Sequence, residues 1–266
     1  MFHANRGQPA SAHFHVPMNA FGFARWYAER TPTEDRFAFE LARRYYDAAG
    51  IEIRAAAEHD EVPDQTSLIA KNVATVALQL LKRFRNVQYA DYAGRIPPSV
   101  LLSLYAGLAA EPNHTLSSML VRICRRIVRD LAEAISRRQS LSIANPVFSL
   151  DVFTDRWPET LVQQEEWRSH VANLADTIDL LKGSEMSQEE LGQVLRGMFG
   201  DNVVSRSLRQ FNKRLGFGVQ HGQHSHTWRG GIYVPSKPAL VTGSAASAAA
   251  NATLARAHTF TGGALR

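Results

Sequence analysis

From Thr115 onward the apolar residues Leu116, Leu120, Ile123, Ile127, Leu131 and Ala134 recur three or four places apart, the spacing of one face of an α-helix. Such a stripe is stable only when it is buried against others like it, so this stretch constrains the fold more than any other. The chain supplies several partners. Ile69, Val73, Val76, Leu80 and Phe84 predict one face of a long helix whose far side carries Lys71, Thr75, Gln79, Lys82 and Asn86. Pro98 suits the first position of the next helix, because its missing N–H has no partner there in any case. Pro158 is expected to open a long helix carrying Leu161, Trp167, Val171, Leu174, Ile178 and Leu181 and ending at Gly183. Ser187 to Glu190 reads as a capping box for a helix reaching Phe199-Gly200, and Asp201 caps a last one with Val204, Leu208, Phe211 and Leu215.

The rest of the chain adds helices and loops. Asn19 is a good N-cap for a short helix through Phe23, Trp26 and Tyr27 to about Arg30. Phe37 to Ala49 is a further helix, with Tyr45-Tyr46 as buried anchors or base-stacking rings, and the Ala-rich Ile51 to Glu61 also reads as helical. Leu150 to Trp157 is expected to form a single turn. Alternating strand patterns are nearly absent, so the fold expected is mainly α, a helical bundle. Its divisions are a loose lead-in at 1–15, the bundle at 16–215, and a Gly-, Ala- and Ser-rich tail at 216–266 expected to be disordered. His221, His224 and His226 in that tail lack the Cys or paired carboxylates that would complete a metal site, and no metal ligand is assigned.

Composition narrows the classes of function. With 45% hydrophobic and 21% charged residues this is an ordinary globular composition, with no run long enough for a membrane span and no signal-peptide segment, so a cytoplasmic protein is expected. Cys124 is the single cysteine, and in its helical setting it is a small buried thiol rather than a nucleophile. A net charge of +5 and a pI near 9.5 favour polyanionic partners. The excess is uneven: Ile69 to Ala90 holds Lys71, Lys82, Arg83 and Arg85 and no acid.

Two candidate sites follow. Ser99 falls in the first turn of a helix whose unpaired N–H groups and positive dipole end suit a phosphate, with Lys82 and Arg85 close by. A solvated helix end with a local cap explains the same residues, and spacing does not choose between the two. Arg122, Arg125, Arg126 and Arg129 form a ridge that is either a nucleic-acid-binding surface or a solvated face paired with acids such as Asp130 and Glu133.

The order of these features resembles the C-terminal half of the bacterial nucleotidyltransferases that make cyclic oligonucleotide signals in antiphage defence, the CD-NTase or CBASS synthase group, relatives of cyclic GMP-AMP synthase and oligoadenylate synthase. The matching segments are Asn19 to Tyr27, resembling N-P-x-G-[YF]-x-x-W-F with Ala20 in place of proline; Leu80-Leu81-Lys82-Arg83-Phe84-Arg85 with Pro98 to Leu102; Asn145-Pro146-Val147 with Trp157; and Met198 to Asp201. The resemblance implies the helical lobe of the oligoadenylate-synthase-like fold, with Lys82 and Ser99 contacting the triphosphate of a donor nucleotide of the ATP or GTP class. It also implies a Gly-Ser segment on a turn followed by carboxylates on strands, three in all, whose acidic oxygens hold two Mg²⁺ ions. Gly183-Ser184-Glu185, Gly243-Ser244 and Glu58 with Asp60 do not match that set, so no catalytic residue is assigned. The expectation is therefore a chain that begins after the catalytic lobe, truncated or separately encoded, and inactive alone. The alternative is a noncatalytic basic module that binds nucleic acid or a separate catalytic partner.

Overall fold

In the computed structural model the described residues are 2–3, 14–15, 17–35, 37, 72–184, 186–220, 225–227, 232–233 and 252–254. The helices expected over Phe37 to Ala49 and Ile51 to Glu61, Tyr45-Tyr46, Glu58 with Asp60, Lys71, His221, His224 and Gly243-Ser244 lie essentially outside them. The described residues form seven helices: α1 (Ala20–Arg30), α2 (Val73–Gln88), α3 (Ser99–Ala109), α4 (Leu116–Ser136), α5 (Leu161–Gly183), α6 (Gln188–Phe199) and α7 (Asp201–Gln220). Two units divide the chain, Met1–Arg44 with Asp60–Asp201, and Tyr45–His59 with Asn202–Arg266.

In the first unit, α4 is the central element. Thr115 caps it by accepting a hydrogen bond from the Ser118 N–H, and it packs along α5 and against α2 and α3. Its buried side chains are Met119, Leu120, Ile123, Cys124, Ile127 and Leu131, close to the expected stripe. The inward face of α2 differs from expectation. Val73, Ala74, Ala77, Leu78, Leu81, Phe84 and Arg85 are buried while Val76 and Leu80 are half-buried. Because α3 and α4 both claim sides of α2, its covered face is broader than one stripe and rotated by about a residue. On α5 the buried residues are Gln164, Trp167, Val171, Leu174, Ala175 and Ile178, whereas Leu161 is exposed. Gln164 is buried because its Oε1 accepts the Leu141 N–H at 2.7 Å and its Nε2 donates to the Gln139 carbonyl at 3.2 Å, satisfying both ends of the amide.

Several boundaries shift from the sequence expectation. Thr160, not Pro158, sets the start of α5, because its hydroxyl accepts the Gln163 N–H. Residues 150–157 are more than the single turn expected: their first three end β4 (Phe148–Val152), which pairs with β3 (Ala144–Asn145) as an antiparallel hairpin, and a turn follows at Phe153 and Thr154. At the N-terminal end, β1 (Phe2–His3) pairs with β2 (Phe14–His15) in the stretch read as a loose lead-in. The capping box of α6 is present as expected, with Ser187 and Glu190 exchanging hydrogen bonds. In the second unit, α7 runs on to Gln220, and β5 (Ser225–Thr227) pairs with β6 (Ile232–Tyr233) and β7 (Ala252–Leu254) inside the span expected to be a tail.

Burial in this core has a consequence at alkaline pH. The Cys124 thiol is pushed up from 9.0 to about 12 by burial, and Tyr89 from 10.0 to about 12 by burial first and then by Glu166 and Tyr92. An unfolded chain releases these protons earlier, so the stabilisation they give is complete below pH 9 and is lost as pH rises toward 12. Urea midpoints measured across the alkaline range are expected to fall. In Cys124→Ala the fall is expected to begin at a higher pH, and an unchanged onset would show that the thiol does not contribute.

Candidate functional site

Arg85 lies at the C-terminal end of α2 with only 7% of its surface exposed, and its guanidinium joins two helices. Nη1 donates to the Pro97 carbonyl at 2.7 Å and to Ser99 Oγ at 3.1 Å, while Nε and Nη2 donate to Asn86 Oδ1 at 3.1 and 2.9 Å. The planar fork suits this task, because two acceptors on one side and one on the other fix the guanidinium plane. The end of α2 is thereby tied to the start of α3. Pro98 is the N-cap of α3 rather than its first residue, and it has no side chain to cap the first turn. Ser99 is the first helical residue and is exposed. Since its oxygen accepts from Arg85, its hydroxyl proton is free to point outward. Nothing in the sequence marked the Pro97 carbonyl as an Arg85 partner, because backbone acceptors carry no residue-type signal.

Lys82 sits one turn earlier on α2, half-buried. Its pKa is lowered by burial and then by the charge of Arg85, whose own pKa is lowered by burial. Among the described residues no carboxylate pairs with Lys82, Arg83 or Arg85. A cluster of this kind is electrostatically unrelieved, and an anion beside it removes the penalty on both charges. A cavity of about 520 Å³ adjoins the same helix start, lined by Pro98 and Val100 together with Phe23, Ile96, Phe153, Trp157, Arg95 and Asp155.

The remaining motif residues shape this corner. Arg83 donates from Nε to the Phe199 carbonyl at 2.7 Å, securing the C-terminus of α6. Gly200 follows at φ 83° and ψ 151°, a region only glycine enters readily, and a Cβ there would meet Arg83 Nη2 at 2.5 Å. Asn19 caps α1 through its side chain, donates its N–H to Asp151 Oδ2 at 3.1 Å, and receives Asn145 Nδ2 on its carbonyl at 3.2 Å. Asn145 also donates to Asp151 at 2.9 Å. Trp26 lies so close to α3 that a Cβ on Gly107 would meet its ring at 2.7 Å. These residues carry architecture rather than chemistry.

The arginine ridge is largely engaged within the protein. Arg122 donates to the Ala109 carbonyl at 3.0 Å and pairs with Glu111 at 2.6 Å; Arg125 pairs with Asp176 at 2.7 Å and Asp179 at 3.3 Å. Arg129 pairs with Asp130 at 3.1 Å. Arg126 reaches the Leu108 carbonyl at 3.4 Å. Two of the four therefore satisfy carbonyls left over at the C-terminus of α3, where positive charge also suits the helix dipole.

Among the described residues no three or more His, Cys, Asp or Glu side chains gather closely enough to hold a metal ion, so they do not fit the two Mg²⁺ ions and no step is assigned through them. Nor is any helix among them long and apolar enough to cross a membrane.

No protein-family model matches the sequence. The chain is 48% identical over 260 residues to the cyclic dinucleotide synthase CdnG of Bradyrhizobium diazoefficiens, an alignment covering 98% of this chain and 62% of the relative. It thus spans less than two thirds of the curated relative's length. The fold is similar to the solved structure of the Bradyrhizobium diazoefficiens CD-NTase CdnG in complex with GTP, with a TM-score of 0.64 and 48% identity, covering 75% of this chain and 57% of the other. The chain is a close homologue of CdnG over the region that the two share, and its described part is mainly helical.

Proposed function

We propose that this chain belongs to the CD-NTase family and acts in the synthesis of a cyclic nucleotide signal from nucleoside triphosphates, with Lys82 and Ser99 gripping the triphosphate and Arg85 holding both in place. One observation carries the assignment of the site: Arg85, with Lys82 one turn before it and no carboxylate paired with either among the described residues, is hydrogen-bonded to Ser99 at a helix start whose N-cap supplies no side-chain bond. Homology to a cyclic dinucleotide synthase and likeness to a GTP-bound structure support the choice of nucleotide. In this reading residues 16–215 form the helical lobe. In this reading the described residues supply contacts to the nucleotide, and no metal-holding carboxylate is assigned among them. The antiphage setting and a cytoplasmic location belong to the same reading.

Titration calorimetry with GTP and ATP tests it. The double variant Lys82→Ala/Ser99→Ala is expected to bind GTP at least tenfold more weakly than the parent, since it loses a charge-assisted contact and a hydroxyl donor. Added salt should weaken the parent more than the variant. The Lys82 ammonium is lost at a pH below its ordinary 10.5, so affinity should fall as pH rises through that lowered value, and the fall should be absent in Lys82→Ala. Equal affinity in parent and double variant would remove the site from consideration.

A further inference from the structure

We propose that the recess between the C-terminus of α3 and the outer face of α4 is a second anion site, built to take a diphosphate group. The cavity measures about 340 Å³ and is lined by Ala109 and by Arg122, Arg125, Arg126 and Arg129. That size is at the small end of ligand pockets, which run from roughly 300 to 1,000 Å³.

Four arginines side by side would ordinarily suggest a surface neutralised by its acids, and acids are indeed present. Their placement is what matters. Glu111, Asp176, Asp179 and Asp130 each engage one guanidinium from outside, and no carboxylate lines the cavity. Each guanidinium has five N–H donors, and the contacts described use only some of them. Arg122 is fixed by the Ala109 carbonyl and Glu111, and Arg125 by the two aspartates of α5, so two forks are held in place before any ligand arrives.

Arg126 is the least committed of the four. Among the described residues its single hydrogen bond is long, at 3.4 Å, and its buried Nε has no acceptor. A buried donor without a partner is costly, and such a side chain can turn toward an oxyanion without giving up a good bond. Planar forks converging on one small recess match phosphate oxygens and favour a compact ligand. A nucleic-acid backbone would instead run across the outer edges, where the carboxylates lie.

The ligand chemistry is a diphosphate, either free pyrophosphate or the diphosphate of a nucleotide. Its support is this cavity alone, independent of the site at Lys82 and Ser99. Titration of inorganic pyrophosphate and of GDP into the full chain carrying Lys82→Ala/Ser99→Ala tests it, because the proposed nucleotide site is disabled there. Saturable, salt-weakened pyrophosphate binding is expected to persist in that background and to drop at least tenfold when Arg126→Gln is added. Arg129→Gln, exposed and paired among the described residues only with its neighbour Asp130, should fold like the parent by circular dichroism and weaken binding several-fold. If Arg126→Gln fails to fold, the Arg129→Gln result decides. Pyrophosphate binding without GDP binding identifies the free diphosphate as ligand, and binding of both identifies the nucleotide-borne group. Absence of binding by either probe, or binding indifferent to both substitutions, overturns the proposal.

Discussion

Arg85→Ala is expected to lower the unfolding free energy by about 3 kcal/mol and to abolish measurable nucleotide binding at the proposed site. The stability loss has two sources. The buried Pro97 carbonyl loses a charged donor at 2.7 Å, and an unpaired buried acceptor costs about 1–3 kcal/mol. Removing the long side chain from a buried position also leaves a void, which adds to that cost. The binding loss follows because Ser99 and the first turn of α3 are held in place by the same guanidinium. Arg85→Lys separates geometry from charge. An ammonium keeps the charge but cannot span Pro97, Ser99 and Asn86 together, so it should recover little of the stability. Urea unfolding and GTP titration on both variants provide the readouts. If Lys restored the unfolding midpoint, Arg85 would act as a charge and not as a clamp.

Trp167→Ala is expected to cost about 3–5 kcal/mol, the range for truncating a fully buried aromatic. The indole on α5 is 1% exposed and meets the rings of Phe84 at 6.4 Å and Tyr89 at 6.0 Å, so it fills the seam between α5 and α2. Its Nε1 has no hydrogen-bond partner among the described residues. Trp167→Phe should therefore cost much less, about 1 kcal/mol, since the lost ring volume is partly offset by removal of a buried unpaired donor. Thermal unfolding of the two variants checks the contrast, and equal losses would mean that the indole N–H is satisfied in solution.

The helices were legible where apolar spacing and a capping residue agreed. Asn19, Thr115 and the Ser187–Glu190 box each marked a start that the structure keeps. Pro158 misled because proline permits a helix start without requiring one, and Thr160 supplies the cap two residues later. The α2 face was misread because Ala74 and Ala77 are weak apolar signals, yet small residues are what a helix between several neighbours needs. The hairpin at Ala144–Val152 was missed because β3 is only two residues long and shows no alternation.

The site was legible in its residue types and not in its connections. Lys82, Arg85 and Ser99 were identified as a group, and the structure brings Arg85 and Ser99 into contact. Their roles differ, though. Sequence spacing treats both cations as available to a ligand, whereas burial spends Arg85 on backbone and side-chain acceptors and leaves Lys82 without a partner among the described residues. The arginine ridge shows the same limit. Helical spacing placed the four on one face, and only the fold shows that Arg122 and Arg126 meet the carbonyls at the end of α3.

Asp151 gives one carboxylate oxygen to the Asn19 backbone, 132 residues away in sequence, and to Asn145, six residues away. The β3–β4 hairpin thus acts as a ruler for the first helix. Lengthening or shortening its turn by a residue would shift the point from which α1 departs, although no residue of α1 itself had changed.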